Sequence, residues 1–270
     1  MYSQSLLKAD GRQITLYSRC PISDKTTATR PSKEPLRANT HLRWHPLRGE
    51  WVAYASHRPG RTFLPLPEYN PLAPSRNPQF PTELPVGKYD VAVFENCFPS
   101  MVTTATNAPD CIVETVQTVP ANGACEVLVF TQDDRASLLS LTLEHLDLLL
   151  QVLLQVWGAR TEVLGENTQI QYVLPYENKG VEVGVTLHHP HGQIYSYPFV
   201  PPIPARMLEQ QQRYYQEHKR GLLGDLIQKE IAYNQRIIYE DVDAIAFVAV
   251  YARYPYEVWV ANKLLRLSQI

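Results

Sequence analysis

The chain has no cysteine pair in CxxC spacing, no marked excess of either charge and no apolar run long enough to cross a bilayer. Its four cysteines, Cys20, Cys97, Cys111 and Cys125, give no disulfide or metal framework by spacing, so reduced thiols in a cytoplasm are expected. The opening MYSQSLLKADGR lacks the apolar core of a signal peptide. The longest strongly apolar stretch, around Leu146 to Val156, contains Asp147 and Gln151 and falls short of the roughly 20 residues a membrane helix needs. A net charge of −2 supplies no basic field to hold nucleic acid or an anionic membrane, so any phosphate site must be local.

What is present suits a globular protein. A length of 270 residues, 44% of them hydrophobic, suffices for one large domain or two small ones with a substantial core. Residues 1–40 are polar without a clear period and read as an N-terminal arm. The run LRWHPLRGEWVAYA, from Leu42 to Ala55, predicts two strands around a turn at Leu47–Glu50. Residues 59–85 hold eight of the 22 prolines, a density that excludes a helix or central strand and indicates a long ordered loop. Strands are predicted at Tyr89–Phe94, Glu126–Thr131, Ile170–Leu174 and Gln193–Phe199, and a long helix at Leu141–Leu164. A second helix, Pro204 to about Tyr233, carries a break near Gly221 or Gly224, and strands return from Arg236.

Two segments echo each other: DVAVFENCFPSM from Asp90 and AFVAVYARYPYEVWV from Ala246. Each runs from a β-type apolar stretch into an aromatic-proline corner, as the start of one structural unit used twice. The expected fold is α+β: a mainly antiparallel sheet with two long helices over one face. Residues 41–235 form the first unit, and 236–270 begin a second that is incomplete.

The segment ENKGVEVGVTLHHPHGQIYSYPFVPP, from Glu177, carries the chemistry. In an extended chain, residues two apart share a face, which puts His189, His191 and Gln193 together with Pro190 and Gly192 between them. Gly192 would let the backbone approach a phosphate. A neutral imidazole is a nucleophile toward phosphorus when its other nitrogen is held by an acceptor. Gln193 can donate to a phosphoryl oxygen without acid–base chemistry, which suits a covalent intermediate that must await a second substrate.

The order His-Pro-His-Gly-Gln after Glu-Asn-Lys-Gly resembles the galactose-1-phosphate uridylyltransferases, a branch of the histidine-triad superfamily, and the likeness extends over nearly the whole chain. Ser56–Arg61 (SHRPGR) is similar to the family's arginine-bearing phosphate motif, and Glu95–Pro99 (ENCFP) to its uridine-site strand end. The resemblance implies a histidine-triad-like half-barrel sheet. It makes His191 the nucleophile that accepts the uridylyl group and Gln193 the donor to its α-phosphoryl oxygens. Thr186 and the backbone at Gly184 assist from the loop, Asn178 and Asn96 contact the nucleotide, and Arg58 and Arg61 meet phosphate. It further implies a homodimer acting on UDP-glucose, UDP-galactose and hexose 1-phosphates by ping-pong transfer of UMP, with no redox cofactor.

Two departures qualify the likeness. Family members bind a structural zinc through CxxC cysteines, a later histidine and the first histidine of the HPH motif. Here Asn70 and Ala73 stand where the cysteines belong and Asp134 near the place of the later histidine, leaving His189 alone, so no metal is expected and His189 would orient its loop by hydrogen bonding. The chain also stops inside the second repeat. Rival readings are therefore an adenylyltransferase or phosphorylase acting on a nucleoside-diphosphate sugar, and a truncated, non-catalytic nucleotide-binding remnant.

Overall fold

The computed structural model describes residues 1–29, 40–55, 70–110, 113–166, 169–183, 185 and 187–263, with 160–166 as backbone only. The chain divides into two compact units, Met1–Pro201 and Pro202–Ile270.

The first unit is built on a six-stranded sheet of order β1-β2-β5-β7-β9-β8, every neighbouring pair antiparallel. Its strands are β1 (Tyr2–Leu7), β2 (Gln13–Ser18), β5 (Val91–Glu95), β7 (Ala124–Val129), β8 (Tyr172–Tyr176) and β9 (His191–Tyr197). A smaller sheet joins β3 (Thr40–His45), β4 (Glu50–Ala55) and β6 (Thr118–Pro120), with Gly49 at φ +64° in the β3–β4 turn where a side chain would be strained.

Helix α1 (Leu143–Glu166) begins where the Thr142 hydroxyl accepts the His145 N–H at 3.3 Å. It lays Leu148, Leu149, Val152 and Val156 against Val91, Val93, Leu128 and Ile194 on one face of the sheet. The opposite face carries Ile14, Leu16, Ala92, Phe94, Val127 and Val129, packed under Leu72 and Leu84 of the proline-rich segment and Tyr89 just after it. Strand alternation thus assigns Ile194 to the helix side and His191 and Gln193 to the other.

The second unit holds α2 (Pro202–His218), α3 (Leu222–Tyr233) and a meander of β10 (Ile237–Glu240), β11 (Ala244–Val248) and β12 (Val258–Asn262). Ile227, Ile245, Phe247 and Ala249 form its core. Buried Glu230 closes α3 onto the meander, taking Arg236 at 2.8 Å and the Val250 N–H at 3.0 Å. Among the described residues no helix is long and apolar enough to cross a membrane.

One expectation needs correction. Residues 2–18 are a β-hairpin in the main sheet, because Ile14 and Leu16 are fully buried while the charges that made the stretch look polar are paired inside, Lys8 and Arg12 with Glu83 and Arg12 also with Asp10. The break expected near Gly221 or Gly224 falls at Gly221, where α3 begins, so the described residues hold three α-helices. Residues 70–85 hold no helix, as expected, but 59–69 lie outside the described residues.

Candidate functional site

The site is built at the start of β9. His191 opens the strand and is half-buried, and its Nδ1–H donates to the His189 carbonyl at 2.7 Å. A carbonyl can only accept, so the proton sits on Nδ1 and the lone pair of the neutral ring sits on Nε2. His189 precedes the strand and is only 3% exposed. Its Nε2 donates to the Thr131 carbonyl at 2.7 Å, and the Asn70 amide donates to its Nδ1 at 3.0 Å. Asn70 is itself fixed, its Oδ1 accepting the Leu72 N–H at 3.0 Å. Burial, with His191 adding to it, pulls the His189 imidazole below its ordinary pKa against the opposing effects of the Thr131 carbonyl and Asp134. A neutral ring protonated on Nε2 satisfies both partners.

Behind this loop, the Phe130 N–H donates to the Pro190 carbonyl at 3.0 Å, and buried His145 of α1 donates from Nε2 to the Phe130 carbonyl at 2.6 Å. The Phe130 ring fills the space beside Gly192. A Cβ there would stand 3.0 Å from the Tyr176 carbonyl and 3.1 Å from Phe130 Cζ. Packing against β8 and Phe130 therefore favours glycine here, alongside the approach of a phosphate that its place in the motif suggested.

Along β9, Gln193, Tyr195 and Tyr197 follow His191 on the same half-buried face. Gln193 Oε1 accepts from Asn96 Nδ2 at 3.4 Å, which leaves the Gln193 amide nitrogen as the donor for a ligand. Asn96 lies just past β5, its Oδ1 accepting the Phe98 N–H at 2.8 Å and its N–H donating to the Cys125 carbonyl at 2.8 Å. Beyond Gln193, an edge-to-face run of Tyr176, Tyr195, Tyr197 and Phe199 continues the face. Burial drives the Tyr197 phenol up to about 12 and raises that of Tyr176 as well, so both stay neutral.

The sequence-predicted residues are thus distributed. His191, His189, Gln193 and Asn96 come together. Asn178 is exposed two residues beyond Tyr176, which pairs with Gln193, and has no hydrogen bond to the others. Arg58, Arg61, Gly184 and Thr186 lie outside the described residues. His189 does not share the open face of His191 and Gln193 as the alternation implied, because the strand begins only at His191 and His189 turns inward. Sequence reasoning missed Thr131, His145 and Phe130, and the tyrosine run, whose period-two spacing at 195, 197 and 199 was the available signal.

The donor set around His189 does not suit zinc. The Nδ1 lone pair that a metal would take is occupied by the Asn70 amide, Nε2 faces a carbonyl, and Ala73 offers only a methyl. Among the described residues no group of three or more His, Cys, Asp or Glu side chains is gathered as a metal site.

Comparison with known proteins shows the family that the histidine motif resembles. Residues 31–201 match the family model of the galactose-1-phosphate uridyl transferase N-terminal domain. A galactose-1-phosphate uridylyltransferase of Streptomyces lividans is 33% identical over 97% of this chain and 68% of its own length. One from Thermotoga maritima is 31% identical over 82% of this chain and 66% of its own. A solved uridylyltransferase superposes with a TM-score of 0.69 at 27% identity, covering 83% of this chain and 66% of that one. The chain spans about two thirds of the length of these relatives.

Proposed function

The chain belongs to the galactose-1-phosphate uridyl transferase family, and on that premise we propose that it is a nucleotidyltransferase moving UMP from UDP-glucose to galactose 1-phosphate through a uridylyl group held on His191. One observation carries this reading: the 2.7 Å hydrogen bond from His191 Nδ1 to the His189 carbonyl, which puts the nucleophilic lone pair on Nε2.

In the first half-reaction Nε2 attacks the α-phosphorus of UDP-glucose. An N–P bond forms as the P–O bond to the β-phosphate breaks, and glucose 1-phosphate departs with the electron pair. The imidazole gains positive charge, and the His189 carbonyl, already aligned on Nδ1–H, stabilises it without moving. Gln193 donates to a non-bridging oxygen, with the Asn96 amide setting its orientation. Being an amide, Gln193 cannot deliver a proton to hasten hydrolysis of the intermediate. In the second half-reaction a phosphate oxygen of galactose 1-phosphate attacks phosphorus, the N–P bond breaks, and UDP-galactose leaves His191 neutral again. Catalysis of this kind rests on positioning and charge stabilisation. Arg58, Arg61, Thr186 and the Gly184 amide are assigned to phosphate, and Asn178 to the nucleotide.

The same reading makes the protein a cytoplasmic homodimer. Cys20 and Cys97 are free thiols, and among the described residues β12 is a sheet edge on which Val260 is 76% exposed, a face suited to a second copy. Competition by UMP against AMP tests the base. UMP is expected to block label uptake from UDP-glucose at lower concentration, and preference for AMP would turn the assignment toward adenylyl chemistry.

A further inference from the structure

The turn between β1 and β2 carries a buried ion network that nothing in the motif region announces. Lys8 and Glu83 form an ion pair with side chains 0% and 4% exposed, and Arg12 and Asp10 join them at 3% and 4%. Gly11, at φ +87°, lets the turn close so that Lys8 and Arg12 point inward together. The Arg12 guanidinium is shared three ways. Its Nε and Nη2 donate to Asp10 Oδ2 at 3.0 and 2.9 Å, Nη2 donates to both Glu83 oxygens at 3.0 Å, and Nη1 donates to the Glu95 carbonyl at 2.9 Å.

The last bond gives the network a direction. Glu95 ends β5, and the next residue is Asn96, whose amide rests on Gln193. The Gln13 N–H also donates to Glu95 Oε2 at 3.1 Å, so the hairpin grips this strand end by main chain and side chain. Buried ion networks contribute little net stability, since desolvation offsets the attraction, but they impose fixed geometry. Asp10 and Glu83 together hold Arg12 charged despite its burial.

We propose that Arg12 is a positioning residue for the nucleotide site: by fixing the Glu95 carbonyl it sets the strand end that presents the Asn96 amide to Gln193 and to the bound nucleotide. The inference rests on the assignment of Asn96 and Gln193 to the nucleotide. Lysine keeps the charge but has one nitrogen, which cannot reach Glu83, Asp10 and Glu95 at once.

The test is equilibrium binding of UMP, by calorimetry, to the full chain and to Arg12→Lys, Asn96→Ala and the double variant, with thermal unfolding measured beside it. Arg12→Lys is expected to weaken UMP roughly five- to tenfold, the loss of about one charge-assisted hydrogen bond's alignment. In the Asn96→Ala background the same change should have no further effect, because Arg12 acts through Asn96. If Arg12→Lys weakens UMP equally with and without Asn96, or lowers only the melting temperature, the proposal is overturned. Should Arg12→Lys fail to fold, Asp10→Asn, which loosens the guanidinium by removing the carboxylate on its Nε and Nη2 while leaving Arg12 in place, replaces it in the cycle with Asn96→Ala, with the same expected and contrary outcomes. Wild-type protein that binds UMP but takes no label from UDP-glucose would sink the transferase reading while leaving this result readable.

Discussion

Asn70 and His189, 119 residues apart in the chain, meet through a 3.0 Å hydrogen bond in which the amide donates to Nδ1 of the buried imidazole. The bond selects the ring tautomer that donates to Thr131, and the same residue's carbonyl orients His191. A side-chain amide thus holds the loop that leads into His191.

Asn70→Ala should therefore leave a buried imidazole nitrogen without its donor. A loss of about 1–3 kcal/mol in urea unfolding is expected, with a fall in the rate of label uptake that added zinc does not restore. Unchanged stability would show that Asn70 is incidental to the loop.

The buried, neutral state of His189 gives stability a definite dependence on pH. Its folded pKa lies below the ordinary 6.5, so between that value and the depressed one the unfolded chain binds more protons than the folded chain. The stability His189 contributes is complete above the unfolded pKa and is lost as pH falls toward the folded one. Urea unfolding at about pH 7.5 and about pH 5.5 should show wild type weakening more than His189→Gln, which cannot titrate. Equal slopes for the two proteins would contradict it.

Gly192→Ala separates two roles for that glycine. Against the Tyr176 carbonyl and the Phe130 ring, the added methyl should destabilise the protein by about 1–3 kcal/mol whether or not nucleotide is present. A variant with wild-type melting but weakened nucleotide binding would contradict the packing role and leave the approach of a phosphate as the reason for glycine.

The strand that carries the histidine motif and α1 were legible because their signals are local: His-Pro-His-Gly-Gln in sequence and apolar density from 141 to 164; the β3–β4 turn around Gly49 was legible likewise. The break between α2 and α3 was legible from Gly221 for the same reason. The first hairpin was not, since Lys8, Asp10 and Arg12 look like surface charges until Glu83 is brought to them across more than 70 residues. Nor did any spacing reveal that Asn70 would face His189, or that Gly192 would lie under Phe130. Alternation misassigned His189 because it was carried two residues past the true start of β9.

The central claim is a covalent uridylyl group on His191, and intact mass after incubation with UDP-glucose tests it most directly. Wild type should gain the mass of one uridylyl group, and His188→Ala should gain it too, since His188 is exposed and outside the hydrogen-bonded loop. His191→Gly should gain none while still binding UDP-glucose, with turnover reduced at least about 10³-fold, on the order of 4 kcal/mol. Label on the His191→Gly protein, or none on wild type, would contradict the account.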